Sequence, residues 1–400
     1  MKEAVYVIDA VRTAIGRYAG TLASVRPDDM AATAIKGLMA RHPTIPFDLT
    51  EEVILGAANQ AGEDNRNVAR MAALLAGMPV TVAGYTVNRL CASGLQAIAN
   101  AAMEIAQGNG DLYIAGGVES MSRAPFVMAK SDTAFGRAPE IHDTTIGWRF
   151  TNPALSKLYH PYTMGETAEN VADEWKISRS EQDAFAYRSQ EKWQEADRQN
   201  KFEKEIIAVE IPQKKGDAIV FKRDEQPRMS SMEVLGGLKP AFKKDGSVTA
   251  GNSSGVNDGA SALALAGESF IKAHNIKPLA RVVSSAASGV HPRIMGVGPV
   301  EASRKALKRA GLNVEQLGLV ELNEAFASQS IACIRDLGLN PDIVNVNGGA
   351  IAIGHPLGCS GARISTTLIH EMQRRDNVRY GLATMCIGVG QGLAIVYEKL

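Results

Sequence analysis

The stretch EEVILGAANQ, residues 51–60, contains the unit from which the fold is built: a short apolar run that ends in glycine, small and polar residues. Two other stretches, EAVYVIDAVRT (3–13) and DLYIAGGVESM (111–121), have the same form. The segments between such runs have the apolar spacing of amphipathic helices. Buried strands separated by helices are typical of βαβ units, so this pattern predicts an α/β protein.

The same order of elements recurs in the second half of the chain. The later copies are ARVVSSAASGV from Ala280, LGLVELNEAFA from Leu317, GCSGARISTTLI from Gly358 and RYGLATMCIGVGQG from Arg379. Their offset from the first copies is about 270 positions, which indicates an internal duplication. In that case Cys91 and Cys359 head equivalent helices, and the turn at 321–324 corresponds to the turn at 56–60.

Between the two copies the composition changes. Residues 121–249 contain all three tryptophans and the charged, amphipathic segment EWKISRSEQDAFAYRSQEKWQEADRQNKFEKEI. This segment predicts a long helix with a solvated face. We therefore expect an N-terminal half (1–120 plus 250–275), an inserted loop domain (121–249) and a C-terminal half (276–400).

Composition argues against several classes of protein. Lys plus Arg and Asp plus Glu both number 43, so no net field favours a nucleic-acid partner. The first residues lack a secretory pattern, and the longest uncharged stretch, 71–88, is interrupted by Gly77, Pro79 and Gly84, so we expect no membrane partner. The four cysteines form no CxxC pair, which argues against a disulfide framework or a bound metal. We expect a cytoplasmic protein with reduced thiols.

Cys91 is the first candidate for chemistry. In NRLCASGLQAI (88–98) it lies at or just before the start of a helix that runs from Ser93 and stops at Gly108. The positive end of a helix dipole favours a thiolate over a thiol. The alternative is that Cys91 is a small buried hydrophobe, as most free cysteines are.

His355 lies in the glycine-rich segment NVNGGAIAIGHPLGCSGARI (345–364). Glycines on both sides predict a tight turn in which backbone approaches a ligand closely, and this makes His355 a general-base candidate. A lone histidine is more often structural. The stretch ELNEAF (321–326) ends an apolar run in Asn323 and Glu324, at the sheet edge where α/β proteins bind ligands.

The stretch TMCIGVGQG (384–392) places Cys386 at the end of an apolar strand, before three alternating glycines. The N–H groups of these glycines suit an oxyanion. Only eight residues follow Gly392, too few for the helix and the acidic residue of a dinucleotide-binding unit, so we reject a nucleotide site.

Four blocks in this order, NRLCASG, NEAFA, GGAIAIGHPLGCSGAR and CIGVGQG, resemble the signature blocks of the thiolase family over the whole chain. The resemblance implies a thiolase fold: two duplicated halves in a five-layered α/β/α/β/α arrangement with an inserted loop domain. It also implies a homodimer or homotetramer, no permanently bound cofactor, and acyl-CoA and CoA as partners, with CoA as co-substrate.

The resemblance also implies the roles of the candidate residues. Cys91 corresponds to the nucleophile, His355 to its activating base and Cys386 to the acid/base at the substrate C2 carbon. Asn323 corresponds to the residue that holds a water in one oxyanion hole. The backbone N–H groups of Cys91 and Gly388 correspond to a second oxyanion hole.

Other positions follow from the same resemblance. The blocks TMGETAENVA and TAGNSSGVNDGA match segments that line the CoA tunnel, so Met164, Ser254 and Arg228 are expected CoA contacts. Val389 departs from the glycine that is common at its position, which leaves open the shape of the oxyanion wall. We expect no chemistry at Cys333, a core residue, or at Cys359, which lies beside the site.

The chemistry explains the residue types. Cleavage between C2 and C3 of a 3-oxoacyl-CoA needs a nucleophile that keeps the acyl group as a thioester, and a thiolate does so. The departing enolate of acetyl-CoA needs hydrogen-bond donors and then a proton. CoA finally takes the acyl group, which predicts ping-pong kinetics without flavin or nicotinamide.

Within the family, the segments 56–77, 143–153 and 384–392 resemble most those of 3-oxoadipyl-CoA thiolases of aromatic breakdown, whose products are succinyl-CoA and acetyl-CoA. Arg149 is the candidate partner of the substrate carboxylate, unless it pairs with Asp143 and braces the loop. The rival interpretations are a general 3-ketoacyl-CoA or acetoacetyl-CoA thiolase of fatty-acid or polyhydroxyalkanoate metabolism. A non-catalytic acyl-CoA-binding relative would lack the active-site Cys or His.

Overall fold

A computed structural model describes residues 3–400 of the chain. The helices are Pro27–Arg41 (α1), Val68–Leu75 (α2), Ser93–Gln107 (α3), Pro153–Leu158 (α4), Met164–Glu174 (α5), Arg179–Arg198 (α6), Met232–Gly236 (α7), Glu268–Ala273 (α8), Gly298–Ala310 (α9), Ala327–Leu337 (α10), Ala350–Ile353 (α11) and Leu357–Gln373 (α12). The strands are Val5–Thr13 (β1), Gly16–Arg17 (β2), Glu52–Gly56 (β3), Ala83–Val87 (β4), Leu112–Ser120 (β5), Phe126–Met128 (β6), Ile141–Asp143 (β7), Ile206–Ile207 (β8), Val209–Ile211 (β9), Ile219–Phe221 (β10), Asn257–Gly267 (β11), Ala280–Gly289 (β12), Leu317–Leu322 (β13), Tyr380–Ile387 (β14) and Gln391–Lys399 (β15).

Helices cover and separate the two halves of the main sheet, whose order is β4-β3-β5-β11-β1-β12-β15-β14-β13. One apolar cluster packs α1 and α2 against β3, β5, β11 and β1, and another packs α9 and α10 against β12, β15, β14 and β13. Between the two halves lie α3 and α12, which pack against each other and against strands of both. Every residue of α12 from Gly358 to Met372 is buried. These contacts give the layer order α/β/α/β/α, as predicted.

Strand order and direction repeat in the two halves. In the first, β3 runs parallel to β5, and β5, β11 and β1 are successively antiparallel. In the second, β13 runs parallel to β14, and β14, β15 and β12 are successively antiparallel. The predicted duplication is confirmed. It is incomplete at one edge, because the counterpart of β4 is reduced to a single bridge between Val320 and Val344.

The two halves differ in how one pair of strands is connected. Residues 388–390 join β14 to β15, whereas residues 121–256 lie between the equivalent strands β5 and β11. The long insertion contains α5 and α6, both of which begin with a capping box. Buried Arg12 of β1 anchors it through Glu205 (Nε to Oε1, 2.6 Å) and Asp224 (Nη1 to Oδ1, 2.7 Å). The division at 1–120, 121–249, 250–275 and 276–400 stays our proposal.

A search of residues 3–400 finds no helix of the length and hydropathy needed to cross a bilayer.

Candidate active site

Cys91 lies between the end of β4 and the start of α3, two residues before Ser93. The turn is held locally: Ser93 Oγ accepts from the Arg89 backbone N–H (2.9 Å) and donates to the Leu90 carbonyl (2.6 Å). Leu90 adopts a positive φ of 48°, which reverses the chain before the helix. The predicted position of Cys91 just before a helix is therefore correct.

A cavity of about 230 Å³ opens in front of Cys91. Its lining combines residues of both halves and of the insertion, among them Cys91, Glu119, Arg149, Met164 and Gly388. Trp148 and Val389 complete its apolar wall. Cys91, the nucleophile candidate, and Arg149, the selectivity candidate, thus line the same cavity.

The backbone groups at the helix start act on Cys91 in the expected direction, but burial acts against them more strongly. Burial raises the pKa of Cys91 to about 11, and the charge of Glu119 acts in the same direction. The backbone groups of Gly388 and of Cys91 itself lower the pKa, but desolvation outweighs them. Cys91 therefore rests as a thiol and needs a base.

His355 lies in the turn between α11 and α12, and its contacts define its tautomer. Its Nδ1 is 2.6 Å from Ser360 Oγ, and Ser360 Oγ is 2.8 Å from the Pro356 carbonyl. The single hydroxyl proton of Ser360 satisfies the carbonyl, so Oγ accepts from Nδ1–H of His355. Nε2 is left with a lone pair, which Asn323 Nδ2 approaches at 3.4 Å.

The ring of His355 is uncharged. Burial, followed by the charge of Arg363, lowers the pKa of His355 to about 3. A neutral imidazole with its lone pair on Nε2 is the form that accepts a proton. The geometry is that of a base whose tautomer is fixed by its hydrogen bond to Ser360.

The glycines around His355 pack closely against the rest of the protein, and the expectation that they let backbone approach a ligand stays a prediction. Gly354 has φ +114°, and a Cβ there would lie 2.5 Å from the amide carbon of Asn257. A Cβ at Gly358 would lie 2.6 Å from the Cα of Ala57. The close approach of Gly354 to Asn257 allows a hydrogen bond, in which Asn257 Oδ1 accepts from the His355 backbone N–H at 2.9 Å. The glycines fix the histidine turn against the N-terminal half.

Asn323 and Cys386 follow or end neighbouring parallel strands, β13 and β14. The Asn323 backbone N–H donates to the Thr384 carbonyl at 3.0 Å, so the backbone of Asn323 is fixed against β14. Asn323 Oδ1 is buried and accepts no hydrogen bond from residues 3–400. Cys386 is 1% exposed, and burial and the neighbouring sulphur of Cys91 raise its pKa. Asn323 and His355 thus form a buried pair and Cys386 lies near Cys91, while all three residues lie outside the cavity lining.

Sequence reasoning missed Glu119, at the end of β5. Its carboxylate accepts from the backbone N–H groups of Ala58 (2.9 Å), Asn59 (3.1 Å) and Gly358 (2.7 Å). It therefore ties the turn after β3 to the turn that carries His355. Burial raises the pKa of Glu119 to about 7. Its signal was available, because it is a polar residue at a strand end, as Asn323 is.

The expected CoA contacts do not all face the cavity. Met164, the first residue of α5, lines it. Arg228 is exposed and donates from Nη2 to the Ala250 carbonyl at 3.2 Å. The Ser254 backbone N–H donates to the Ala325 carbonyl at 3.0 Å. Arg228 and Ser254 lie outside the cavity lining.

Arg149 is half-buried and lines the cavity. The alternative pairing with Asp143 is absent: Asp143 Oδ1 accepts from Thr145 N–H (2.8 Å) and Oγ1–H (2.6 Å) instead. Across residues 3–400, none of the ion pairs includes Arg149. Its guanidinium is available to a ligand.

Comparison with protein families identifies both halves. Residues 5–269 match the family described as "Thiolase, N-terminal domain", and residues 276–399 match "Thiolase, C-terminal domain". The chain belongs to the thiolase family. It is an acyltransferase by family, and its α/β thiolase fold is confirmed.

Full-length relatives of this thiolase are close in sequence. It is 54% identical over 403 residues to a beta-ketoadipyl-CoA thiolase of Pseudomonas aeruginosa, with 100% of each chain covered. It is also 54% identical, with the same coverage, to the 3-oxoadipyl-CoA/3-oxo-5,6-dehydrosuberyl-CoA thiolase of Escherichia coli.

Solved structures resemble this thiolase over its whole length. The acetyl-CoA acetyltransferase of Bacillus anthracis superposes with a TM-score of 0.94 at 41% identity, covering 100% of this chain and 99% of the other. Human mitochondrial 3-ketoacyl-CoA thiolase in complex with CoA superposes with a TM-score of 0.92 at 40% identity, covering 100% and 98%.

Proposed function

We propose that this thiolase cleaves 3-oxoadipyl-CoA with CoA to give succinyl-CoA and acetyl-CoA. The observation that carries the proposal is that Cys91 and an unpaired Arg149 line the same cavity. The names of the full-length relatives, two of which are 54% identical, support the same substrate.

In the first step, Cys91 Sγ attacks the C3 carbonyl while Nε2 of His355 takes the thiol proton. Burial raises the pKa of Cys91 and lowers that of His355, so complete transfer of the proton before attack is unfavourable. The proton therefore moves as the S–C bond forms, which is general-base catalysis. The backbone N–H groups of Cys91 and Gly388 receive the oxygen charge of the tetrahedral intermediate.

In the second step, the C2–C3 bond breaks, the acyl group stays on Cys91, and the enolate of acetyl-CoA departs. His355 and Asn323 face the enolate oxygen, with Asn323 acting through a bound water. Cys386 donates its proton to C2 of the enolate, which gives acetyl-CoA. An incoming CoA then gives its thiol proton to the Cys386 thiolate and takes the acyl group, while His355 returns its proton to the departing Cys91 sulphur. Both thiols are restored, so the kinetics are ping-pong.

Arg149 is assigned to the far end of the acyl chain. A 3-oxoadipyl chain ends in a carboxylate, and burial of such a charge without a partner costs several kcal/mol. A guanidinium matches a carboxylate in charge and in planar geometry. An acetoacetyl chain has no such group, so Arg149 separates the two substrate classes.

The remaining assignments belong to the same proposal. CoA is the co-substrate without a permanently bound cofactor, and Met164, Ser254 and Arg228 contact it. The protein works as a homodimer or homotetramer, for which the exposed apolar side chains of Phe126 and Ile141 on β6 and β7 are supporting features. Four free cysteines fit a reducing compartment, and we propose the cytoplasm.

A thiolysis panel tests this function. We expect kcat/KM for 3-oxoadipyl-CoA to exceed that for acetoacetyl-CoA and for a long-chain 3-oxoacyl-CoA by at least about 10-fold, the value of one ion pair partly exposed to water. The Cys91→Ala variant provides the background rate. Preference for the long chain would contradict the proposal, and preference for acetoacetyl-CoA would favour the acetoacetyl-CoA thiolase alternative.

A further inference from the structure

Gln329 is a fully buried residue in the first turn of α10, and it contacts two groups of the proposed mechanism. One end of its side-chain amide lies 3.1 Å from Cys386 Sγ. The same end lies 3.3 Å from the backbone carbonyl oxygen of Asn323. Because it contacts both Cys386 and Asn323, Gln329 is placed to affect the proposed chemistry of these residues.

The hydrogen-bond network decides which end of this amide is nitrogen. The far end lies 2.7 Å from the backbone nitrogen of Ser330 and 2.9 Å from its Oγ. A backbone N–H only donates, so the atom facing Ser330 is the amide oxygen. The nitrogen then points to the Asn323 carbonyl oxygen and to Cys386. The two N–H groups of Gln329 thus face one carbonyl oxygen and one sulphur.

We propose that Gln329 is a positioning residue for Cys386, whose sulphur it stabilises in the thiolate form by donating an N–H···S hydrogen bond. The inference rests on the proposed role of Cys386 as the acid/base at C2. It goes beyond that role because it names the group that makes the charged form of a buried thiol accessible.

The need for such a donor follows from the surroundings of Cys386. Burial, followed by the neighbouring sulphur of Cys91, disfavours ionisation of this thiol. Apolar side chains, including Val248, Met295 and Phe326, belong to the same cluster. A hydrogen bond to a charged acceptor is stronger than one to a neutral acceptor, so the amide favours the thiolate over the thiol.

The test separates proton transfer at C2 from acyl transfer to Cys91. Exchange of the acetyl-CoA methyl protons in D2O reports the first: a C2–H proton passes to the Cys386 thiolate, the resulting S–H group exchanges its proton with solvent D2O, and a deuteron returns from S–D to C2. Formation of the acetyl adduct on Cys91, measured by intact-protein mass spectrometry with acetyl-CoA, reports the second. Gln329→Met and Gln329→Leu both remove the donor while keeping most of the volume.

We expect both variants to slow exchange and 3-oxoadipyl-CoA thiolysis by about 10 to 100-fold, while acylation of Cys91 stays within about twofold, because one charge-assisted hydrogen bond is lost. Gln182→Met is the matched control, since Gln182 is also fully buried but bonds Ile177 and Ser247 in the insertion. The control should leave exchange and acylation in their wild-type ratio.

Two outcomes overturn the inference about Gln329 alone, given that Cys386→Ala loses exchange. One is wild-type exchange in Gln329→Met. The other is an equal fall of exchange and acylation in both Gln329 variants, which would indicate a structural role. If Cys386→Ala itself retains exchange, the proposed role of Cys386 fails, and the inference fails with it.

Discussion

The two halves of this thiolase share a strand order but perform different parts of the proposed chemistry. In the N-terminal half, Cys91 precedes α3 and faces the cavity. In the C-terminal half, Cys359 lies inside the equivalent helix α12, is fully buried, and has its pKa raised to about 12 by burial. His355 precedes α12, whereas the segment before α3 contains no histidine. The duplicated scaffold therefore offers two helix starts, of which one carries the nucleophile and the other the base.

The connections between equivalent strands differ in the same way. The insertion between β5 and β11 supplies Arg149, Trp148 and Met164 to the cavity, while the turn at 388–390 supplies Gly388 and Val389. In the proposed function, the long connection lines the acyl end of the site and the short one lines the reacting end. The proposal therefore assigns specificity and chemistry to different copies of one connection.

The sharpest test of the comparison replaces Cys91 and Cys359 by alanine, one at a time. Cys91→Ala should lower thiolysis by at least about 10³-fold, because a covalent nucleophile acts as part of a unit. Cys359→Ala should keep activity within about threefold, since its thiol faces no cavity. Mass spectrometry after incubation with acyl-CoA should locate the adduct on the peptide that contains Cys91. An adduct on the peptide that contains Cys359 would reverse the assignment.

A second test divides the two active-site thiols. Cys386→Ala should lower thiolysis and condensation by about 10² to 10⁴-fold, the usual contribution of a general acid or base. It should still let Cys91 accept an acyl group from acyl-CoA. Separate assays of acylation and thiolysis measure this division, and loss of both half-reactions in a folded variant would show that it is wrong.

A third test addresses the insertion. Arg149→Met should lower kcat/KM for 3-oxoadipyl-CoA by about 10 to 100-fold, or about 1.4 to 2.7 kcal/mol, and leave that for acetoacetyl-CoA little changed. The physical reason is the loss of the cation that meets the substrate carboxylate. Arg198, an exposed residue of α6 that pairs with Glu195 and lies outside the cavity lining, provides the matched Arg→Met control. Equal losses on both substrates in Arg149→Met would indicate that Arg149 only braces its loop.

The smallest effect is expected at the short connection. Val389 has φ +65°, a left-handed conformation that costs a β-branched residue about 1–2 kcal/mol. Val389→Gly removes this cost but adds about 0.5–1 kcal/mol of backbone entropy, so stability should rise by about 0.5–1 kcal/mol. Thiolysis should be nearly unchanged because Gly388 is retained. Denaturant titration measures the change, and a clear loss of stability would show that Val389 contributes packing instead.

Much of the site could be predicted because it lies at element ends. Cys91, His355 and Asn323 each follow or precede a regular element whose period is visible in the chain, and Cys386 is the penultimate residue of β14. Glu119 and Gln329 were missed for different reasons. Glu119 is a polar residue at a strand end, and this position, although visible in the sequence, was not singled out as a candidate. Gln329 had none, since nothing in a helical pattern tells which distant strand a side chain meets.

The sequence by itself determined the order of strands and helices, the duplication and the residues that end each strand, because these depend on apolar periodicity and local turn chemistry. Only the tertiary structure decided the protonation states. The helix start argued for a thiolate at Cys91, yet burial raises its pKa to about 11. It also decided that Ser360 sets the His355 tautomer and that Arg149 is free of Asp143. Desolvation and hydrogen-bond partners depend on groups distant in the chain, and local sequence does not specify them.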